Sequence, residues 1–354
     1  MKQTTNRQVR LKKRPTGIPQ AEHFEIVQAP IPAPGDGEVL IRNIFLSVEP
    51  AMRGWVSPVA NYSEPVALGA VMRSLAVGEV LASGDPEYQP GDYVTGMFGW
   101  QDYTLIDTRT DNESIQRKVS GDGLPISTAL GVLGLNGMTA YFGLLDIGQP
   151  NAGETVVVST AAGAVGSCVG QLAKIKGCRT VGITGGPDKV KLCCEVFQYD
   201  QAIDYQNIDS QAIDNPSKGL GEQLTTTCPN GIDVYFDNTG GAISDAVLNH
   251  LNVGARVVIC GTASIASWDP IPQGPRVERQ LIVKRARMQG FLIFDYQDRY
   301  GEAIDNLTEW VSTGLIHYRE DILDGIEQAP GAIAGLYRGE NRGKRLIQIA
   351  SSSR

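Results

Sequence analysis

The pattern of apolar and polar residues divides the chain into two regions. From residue 9 to about residue 106 the apolar runs are short, and clusters of Gly, Pro, Asp and Ser separate them, as at 30–37 and 83–86. Short apolar runs bounded by turn residues are typical of strands in an all-β barrel or sandwich. The pattern therefore predicts a β domain in the N-terminal part of the chain.

Beyond about residue 123, apolar strands alternate with segments of helical periodicity. Strands are predicted at 155–159, 179–183, 232–236 and 255–260, an apolar run covers 288–294, and helices are predicted at 164–176, 188–197, 242–251 and 297–313. This alternation indicates an α/β domain with a doubly wound parallel sheet. The segment 344–350 alternates like an edge strand, and we expect it to return to the first domain. The expected domains are 1–128 with 312–354, and 129–311.

Composition and charge narrow the class of protein. The 354 residues are 42% hydrophobic and 20% charged, as in ordinary globular proteins, and the length suggests two domains. The 41 glycines and 19 prolines follow no repeat, so we assign them to turns and to close approaches of the backbone. The net charge of −8 disfavours binding to a phosphate polymer. Nucleic acid is not an expected partner.

Cysteine usage and the N-terminus indicate a cytoplasmic protein. All six cysteines lie between residues 168 and 260 in no even framework, which is typical of reduced thiols. Two long uncharged stretches, 123–145 and 155–173, contain several glycines, and Pro125 lies in the first, so we expect no membrane span. The basic N-terminus has no apolar run and therefore no secretory signal. Pro15 and Gly17 interrupt the minor alternative, a mitochondrial presequence.

The sharpest local signal is the segment 156–167, where an apolar strand runs into a turn of small residues and then into a helix. Gly163 and Gly166 match the last two glycines of G-x-G-x-x-G, and Ala161 replaces the first. In a dinucleotide-binding turn such glycines let the backbone approach a pyrophosphate at the helix N-terminus. An ordinary tight turn also fits two glycines, but the βαβ series that follows favours the cofactor interpretation.

The end of the second predicted strand indicates which nicotinamide cofactor fits. An acidic residue there would accept hydrogen bonds from the ribose hydroxyls of NAD. Residues 184–187 are Thr-Gly-Gly-Pro instead, and Lys189 follows, with Tyr205 after the next short strand. A lysine can supply charge to a phosphate, although a solvated helix position is the common fate of a lysine. The residues favour NADP over NAD.

Neither a metal site nor a nucleophile motif is evident. The chain has three histidines, His23, His250 and His317, and no cysteine before Cys168, so the β domain lacks a Cys/His set with zinc spacing. We interpret the three histidines as surface or capping residues. No Gly-x-Ser-x-Gly elbow occurs.

Seven motifs in order resemble one family, the zinc-independent medium-chain dehydrogenase/reductases, and within it the NADP-dependent leukotriene B4 dehydrogenase, prostaglandin, alkenal and curcumin reductases. The motifs are NRQV at 6–9, LSVEPAMRG at 46–54, GMTAYFGLLDIG at 137–148, AGAVGS at 162–167, YFDNTGG at 235–241, VKRARMQGF at 283–291 and GENRGK at 339–344. The resemblance runs nearly from end to end.

The resemblance implies a GroES-like β-barrel domain, a Rossmann domain, an edge-to-edge homodimer and NADP as cofactor. The residues that it implies for cofactor binding are Met138, Thr139, Gly163, Ala164, Val165, Gly166, Gly185, Lys189, Tyr205, Asn238, Cys260, Gly261, Thr262, Ala263, Ser264, Phe291, Leu292, Ile293 and Asn341. Within this set, 163–166 would bind pyrophosphate, Lys189 and Tyr205 the 2′-phosphate, and 138–139 would lie near the nicotinamide. The implied reaction adds hydride to the β-carbon of an α,β-unsaturated ketone or aldehyde, without a metal.

The chain departs from the family at two positions. Many relatives have tyrosines where this chain has Ala51 and Ala266, so both candidate phenol donors are missing. A donor must still meet the carbonyl oxygen, where charge develops; the candidates are Tyr62, Arg53, a water or the nicotinamide ribose hydroxyl. An apolar pocket would be lined by Met52, Trp55, Tyr62 and Trp268. Packing alone could also explain these apolar residues.

Two further functions stay open at this stage. One is a quinone reductase of the same superfamily. The other is an NADPH-binding regulatory protein without catalysis, which the two missing tyrosines favour. The residues do not determine the physiological substrate or the oligomeric state.

Overall fold

The computed structural model describes residues 5–59, 62–110, 115–119, 123–207, 216–265 and 270–352. The chain forms two compact units. One comprises Met1–Gly131 with Glu320–Arg354, and the other comprises Val132–Arg319. The C-terminal segment therefore belongs to the same unit as the N-terminal one. In the part of the chain that the structure describes, no helix has both the length and the apolar character needed to cross a membrane.

The strands, in chain order, are β1 (Thr5–Leu11), β2 (Phe24–Pro30), β3 (Glu38–Ser47), β4 (Ala76–Ser83), β5 (Tyr93–Gly96), β6 (Tyr103–Asp107), β7 (Ile115–Lys118), β8 (Thr155–Ser159), β9 (Arg179–Thr184), β10 (Gln201–Asp204), β11 (Ile232–Asp237), β12 (Leu251–Ile259), β13 (Arg287–Gly290), β14 (Glu320–Asp324) and β15 (Lys344–Gln348). The helices are α1 (Met52–Trp55), α2 (Leu135–Phe142), α3 (Ala164–Ile175), α4 (Pro187–Glu195), α5 (Pro216–Thr227), α6 (Gly241–Leu248), α7 (Glu278–Lys284), α8 (Tyr300–Ser312) and α9 (Ala329–Tyr337). A π-helical segment, Gly143–Gly148, follows α2 directly.

The first unit is built on β structure, as the short apolar runs predict. β1 and β2 form an antiparallel pair, and a second sheet has the order β14-β15-β3-β4-β5-β7, with β6 paired to β3. Alternating residues of these strands meet in one apolar core, which includes the fully buried side chains of Ile41, Leu46 and Trp100. Burial of such side chains is the main source of stability for the unit.

The C-terminal strand β15 is not an edge strand, contrary to the prediction. It lies between β14 and β3, pairing in parallel with the first and antiparallel with the second. Its charged residues are buried because partners distant in sequence neutralise them: Lys344 pairs with Glu49, and Arg345 pairs with Asp321. Both faces of β15 are therefore buried, and each carries one of the two charged residues, since successive residues of a strand point to opposite faces.

The second unit holds a six-stranded parallel sheet of order β10-β9-β8-β11-β12-β13. Numbered within the unit, this is the order 3-2-1-4-5-6 of the doubly wound dinucleotide-binding fold, which confirms the predicted fold class. The order reverses between β8 and β11, where ligands bind in such sheets. The five residues of β8 are all buried, as expected for a central strand covered by helices on both faces.

The predicted helices agree with the structure except at their ends. The helix predicted at 242–251 ends at Leu248, because the chain enters β12 at Leu251. The region 297–313 begins as a 3-10 helix, Ile293–Arg299, and becomes α-helical only from Tyr300. Only the first part of the apolar run 288–294 is a strand, since β13 ends at Gly290.

Candidate functional site

The sequence-predicted cofactor residues of the second unit gather at one edge of the parallel sheet. The segments 163–166, 185–189 and 205 follow β8, β9 and β10 respectively, and 238, 260–264 and 291–293 follow β11, β12 and β13. All neighbouring strands run in parallel, so their carboxyl ends meet at the same edge. Residues spread over about 130 positions of sequence thus converge on one crevice.

The turn between β8 and α3 is built for close approach of a ligand. Thr160 has a left-handed backbone with φ of 54°, and its carbonyl accepts a hydrogen bond from the Gly163 N–H at 2.9 Å. A Cβ atom on Gly166 would lie 2.3 Å from the Thr160 carbonyl oxygen. Only glycine therefore lets α3 start against this turn, with its first N–H groups directed at the crevice.

Tyr199 stabilises the start of α3 through a hydrogen bond to Gly166. This role of Tyr199 was not predicted from the sequence. Its buried hydroxyl donates a hydrogen bond to the Gly166 carbonyl at 2.6 Å. A Cβ atom on Gly170 would lie 2.2 Å from the Tyr199 ring, so this glycine makes room for the tyrosine. Burial raises the pKa of Tyr199 well above its usual value, which keeps the phenol a neutral donor. The sequence contains one local sign of this contact, which is the glycine at position 170 inside α3.

Gly185 and Tyr205 lie side by side at the ends of β9 and β10. A Cβ atom on Gly185 would be 3.2 Å from a ring carbon of Tyr205, and the Tyr205 N–H donates to the Thr184 carbonyl at 3.0 Å. Lys189 lies on the first turn of α4, where its N–H donates to the Gly186 carbonyl. The structure thus brings the residues predicted for the 2′-phosphate to adjacent turns.

Asp204, at the end of β10, is an acid in this region that sequence reasoning did not assign. Its Oδ1 accepts hydrogen bonds from the backbone N–H of Gly186 at 2.7 Å and of Gln206 at 3.0 Å. The carboxylate therefore fixes the two turns that carry Gly185 and Tyr205. The C-terminal end of β9 carries no acidic residue, as the sequence indicates.

Asn238 joins the ends of β11 and β8. Its backbone N–H donates to Ser159 Oγ at 2.8 Å, and its side-chain amide donates to the Ser159 carbonyl at 2.7 Å. Its own carbonyl accepts from the Ala263 N–H at 3.2 Å, which draws the predicted segment 260–264 against it. Ser264 completes the contact, since its hydroxyl donates to the Thr239 carbonyl at 2.8 Å.

The remaining predicted residues of this unit lie on α2 and after β13. Met138 is buried, and the Thr139 hydroxyl donates to the Leu135 carbonyl at 2.6 Å. A Cβ atom on Gly143 would lie 2.6 Å from the Phe291 ring, so the segment 291–293 packs against the start of the π-helical segment. The Ile293 carbonyl accepts from the Tyr300 hydroxyl at 3.0 Å.

The cysteines offer no activated nucleophile. The thiol pKa is raised in all six cysteines, and burial is the largest cause in each. For Cys260, at the crevice, burial and the Asp237 carboxylate raise the pKa to about 12. A thiol is a weak nucleophile until it ionises. Among the described residues, no group of three or more His, Cys, Asp or Glu side chains could hold a metal ion.

The candidate residues of the first unit lie on and around α1. Met52 and Trp55 belong to the apolar core, so packing accounts for both. The Arg53 guanidinium lies over the ring of Tyr337, 4.8 Å from its centroid, and the Tyr337 hydroxyl donates to the Pro50 carbonyl at 2.9 Å. Tyr337 is a further residue that the sequence did not indicate.

Tyr62 is 49% exposed, and it lies near enough to Tyr337 to raise the pKa of that phenol, after the larger effect of burial. Asn341 belongs to the first unit, where its side-chain amide donates to the Gly343 carbonyl at 2.8 Å. Ala266 and Trp268 lie outside the described residues.

Comparison with known proteins shows the family to which the chain belongs. A family model described as the N-terminal domain of oxidoreductase matches residues 7–113, and one described as zinc-binding dehydrogenase matches residues 164–309. The chain is 43% identical over 350 residues to the NADPH-dependent curcumin reductase of Escherichia coli, covering 98% of this chain and 97% of the relative. It is 37% identical over 353 residues to the NADP(+)-dependent 2-alkenal reductase of Nicotiana tabacum, covering 98% of each.

The crystal structure of CurA from Vibrio vulnificus in complex with NADPH has the same fold, with a TM-score of 0.88 and 43% identity. The likeness covers 98% of this chain and 99% of that one. The chain therefore belongs to the medium-chain dehydrogenase/reductases, in the zinc-independent group that includes the NADP-dependent curcumin and 2-alkenal reductases.

Proposed function

We propose that the protein uses NADPH to reduce the carbon–carbon double bond of α,β-unsaturated ketones and aldehydes. The observation that carries the cofactor choice is the end of β9, where Gly185 and Lys189 follow in place of an acid and Tyr205, after β10, lies beside Gly185. The substrate class rests on the relatives named for 2-alkenal and curcumin, both matched over nearly the whole chain.

The residues present fit a dinucleotide. Gly163 and Gly166 allow the tight turn that brings the N-terminus of α3 to the end of β8, since a Cβ atom on either glycine would lie under 3.0 Å from Thr160. The N-terminus of α3 would hold the pyrophosphate, and Lys189 with Tyr205 would hold the 2′-phosphate. Asp204 stabilises the turns after β9 and β10, because its Oδ1 accepts hydrogen bonds from two backbone N–H groups there.

Bound NADPH supplies a hydride for the β-carbon of the substrate. The protein must then stabilise the negative charge on the carbonyl oxygen and allow a proton to reach the α-carbon, which leaves a saturated carbonyl compound and NADP⁺. We assign the donor role to Tyr62, whose partly exposed hydroxyl can both donate a hydrogen bond and pass on a proton. Arg53, whose guanidinium lies over the Tyr337 ring, would supply positive potential for the developing charge.

The test is a panel of enones, enals and quinones assayed by NADPH oxidation, with the products identified by mass spectrometry. We expect turnover of enones and enals, with deuterium from C4-labelled NADPH at the β-carbon. In Tyr62→Phe we expect kcat to fall about tenfold, the value of one hydrogen bond, with no change in the KM for NADPH. Tyr88→Phe, in the same unit, is the matched control.

Two outcomes would contradict this function. Faster turnover of quinones than of any enone would favour the quinone reductase. Tight NADPH binding without turnover of any substrate in the panel would favour the regulatory protein.

We further propose a homodimer formed at the β13 edge of the second unit. β13 is the last strand of its sheet, and an open strand edge is a ready site for pairing with another chain. The neighbouring helix α7 has no buried residue, and its Ile282 and Val283 are 75% and 56% exposed. Ile271 is also 75% exposed. A second copy would cover both the strand edge and these apolar side chains.

Ile282→Glu is expected to convert the dimer to a monomer at micromolar concentration, because it places charge in the apolar interface. Light scattering after size exclusion measures the mass. Leu68→Glu, at an exposed apolar position of the first unit, is the control and should remain dimeric. A monomeric wild-type protein, or a dimer that persists in Ile282→Glu, would rule out this interface.

A further inference from the structure

The carboxylate of Asp237, at the end of β11, is the centre of a buried hydrogen-bond network. Asp237 is 2% exposed. Its Oδ1 accepts from the Tyr235 hydroxyl at 3.0 Å and from the backbone N–H groups of Thr239 and Gly240, each at 2.9 Å. Its Oδ2 accepts a short hydrogen bond from the Ser244 hydroxyl. A buried carboxylate is tolerated only with such a set of donors.

These donors fix a backbone turn that is formed by two glycines. Gly240 and Gly241 both have left-handed backbones, with φ of 67° and 63°. The carboxylate binds the N–H groups that lead into this turn, while Ser244, on α6, holds the carboxylate from the other side. Burial and the charge of Asp237 raise the pKa of Tyr235 well above its usual value, so this phenol stays a neutral donor.

Asp237, at the end of β11, also forms hydrogen bonds with the ends of β8 and β12. Ser159, at the end of β8, donates through its hydroxyl to Asp237 Oδ1 at 3.4 Å and receives the backbone N–H of Asn238. The Asp237 carbonyl accepts from the N–H of Cys260 at 2.9 Å and of Gly261 at 3.1 Å, just after β12. The Asp237 side chain therefore holds the turn that contains Asn238, and its backbone carbonyl holds the start of the segment 260–264.

We propose that Asp237 is a positioning residue for the nicotinamide half of the cofactor. A dinucleotide lies across the point where the strand order reverses, here between β8 and β11. The proposed function, on which this inference rests, assigns the adenosine and its 2′-phosphate to the ends of β9 and β10. The other half then lies over β11 and β12, whose ends Asp237 holds. Asp237 itself is buried and acts through Asn238 and the backbone that follows β12.

The experiment compares two ligands on the full-length protein by calorimetry. NADPH spans both halves of the site, whereas adenosine 2′,5′-bisphosphate occupies only the adenosine half. In Asp237→Asn we expect the Kd for NADPH to rise about tenfold, as one acceptor becomes a donor, and the Kd for the bisphosphate to stay unchanged. Lys189→Ala should weaken both ligands.

Asp233→Asn is the matched control, because Asp233 lies at the opposite end of the same strand and accepts from the Thr155 N–H at 2.8 Å. It should change neither Kd. Where Asp237→Asn does not fold, Ser244→Ala removes a single donor and should show the same selective loss. Equal weakening of both ligands by the variant would assign Asp237 a general structural role and overturn the inference. Wild-type protein that binds neither ligand would instead overturn the proposed cofactor.

Discussion

Lys344→Ala is expected to lower the free energy of unfolding of the first unit by about 3–5 kcal/mol, because it leaves a carboxylate without its buried partner. The Lys344 side chain is 4% exposed, and its ammonium group pairs with the Glu49 carboxylate. It also donates to Ser47 Oγ at 2.7 Å and to the Val48 carbonyl at 3.2 Å. Urea denaturation followed by tryptophan fluorescence measures the loss.

A second variant separates the ion pair from the packing around it. Glu49→Gln combined with Lys344→Met leaves no charge behind, so the double variant should lose less stability than Lys344→Ala alone. Arg338→Ala breaks an ion pair with Glu340 on the surface and should leave the urea midpoint unchanged. Removal of one partner from a buried ion pair is expected to cost several kcal/mol. A loss of stability below about 1 kcal/mol in Lys344→Ala would therefore contradict an essential role for this pair.

Lys189→Ala is expected to raise the Kd for NADPH between about tenfold and a hundredfold, the range for a hydrogen bond to a charged group. The Kd for NADH should change little, because NADH lacks the 2′-phosphate that the lysine would hold. Cofactor titration followed by quenching of protein fluorescence measures both constants.

Lys191→Ala is the control for this variant, since Lys191 lies on the same helix and pairs with Glu195 in solvent. It should leave both constants unchanged. The loss in Lys189→Ala should also shrink as salt rises, because salt screens the attraction between the ammonium group and the phosphate. Equal losses for NADPH and NADH would place the 2′-phosphate elsewhere.

Three of the motifs that resemble the family hold the first unit together. In NRQV, the buried Asn6 side chain mimics a neighbouring strand: its amide donates to the Tyr103 carbonyl at 2.9 Å and its oxygen accepts from the Tyr103 N–H at 3.0 Å. Glu49 and Lys344 come from two further motifs and meet in the ion pair described above. Family motifs in this unit therefore mark structural contacts as well as a site.

Local signals were sufficient for the cofactor turn. Each predicted residue there directly follows an apolar strand, and the direction of a parallel strand decides which edge its last residue reaches. Gly163, Gly166 and Lys189 could therefore be proposed from the residues alone, whereas Asn238 was proposed from the family resemblance. Asp204, Tyr199 and Asp237 could not, because each acts through a partner that only the folded chain brings near, such as Gly166 for Tyr199.

The amino-acid sequence was enough to predict the alternation of strands and helices, the doubly wound sheet, the glycine turn and the absence of an acid at the end of β9. These features depend on periodicity and on residues close together in the chain. Three features became evident only in the folded chain: β15 is an interior strand, Met52 and Trp55 belong to a core, and a buried carboxylate holds the Asn238 turn. The physical reason is that burial of a charge depends on its partner, and the partners of Lys344 and Arg345 lie 295 and 24 residues away.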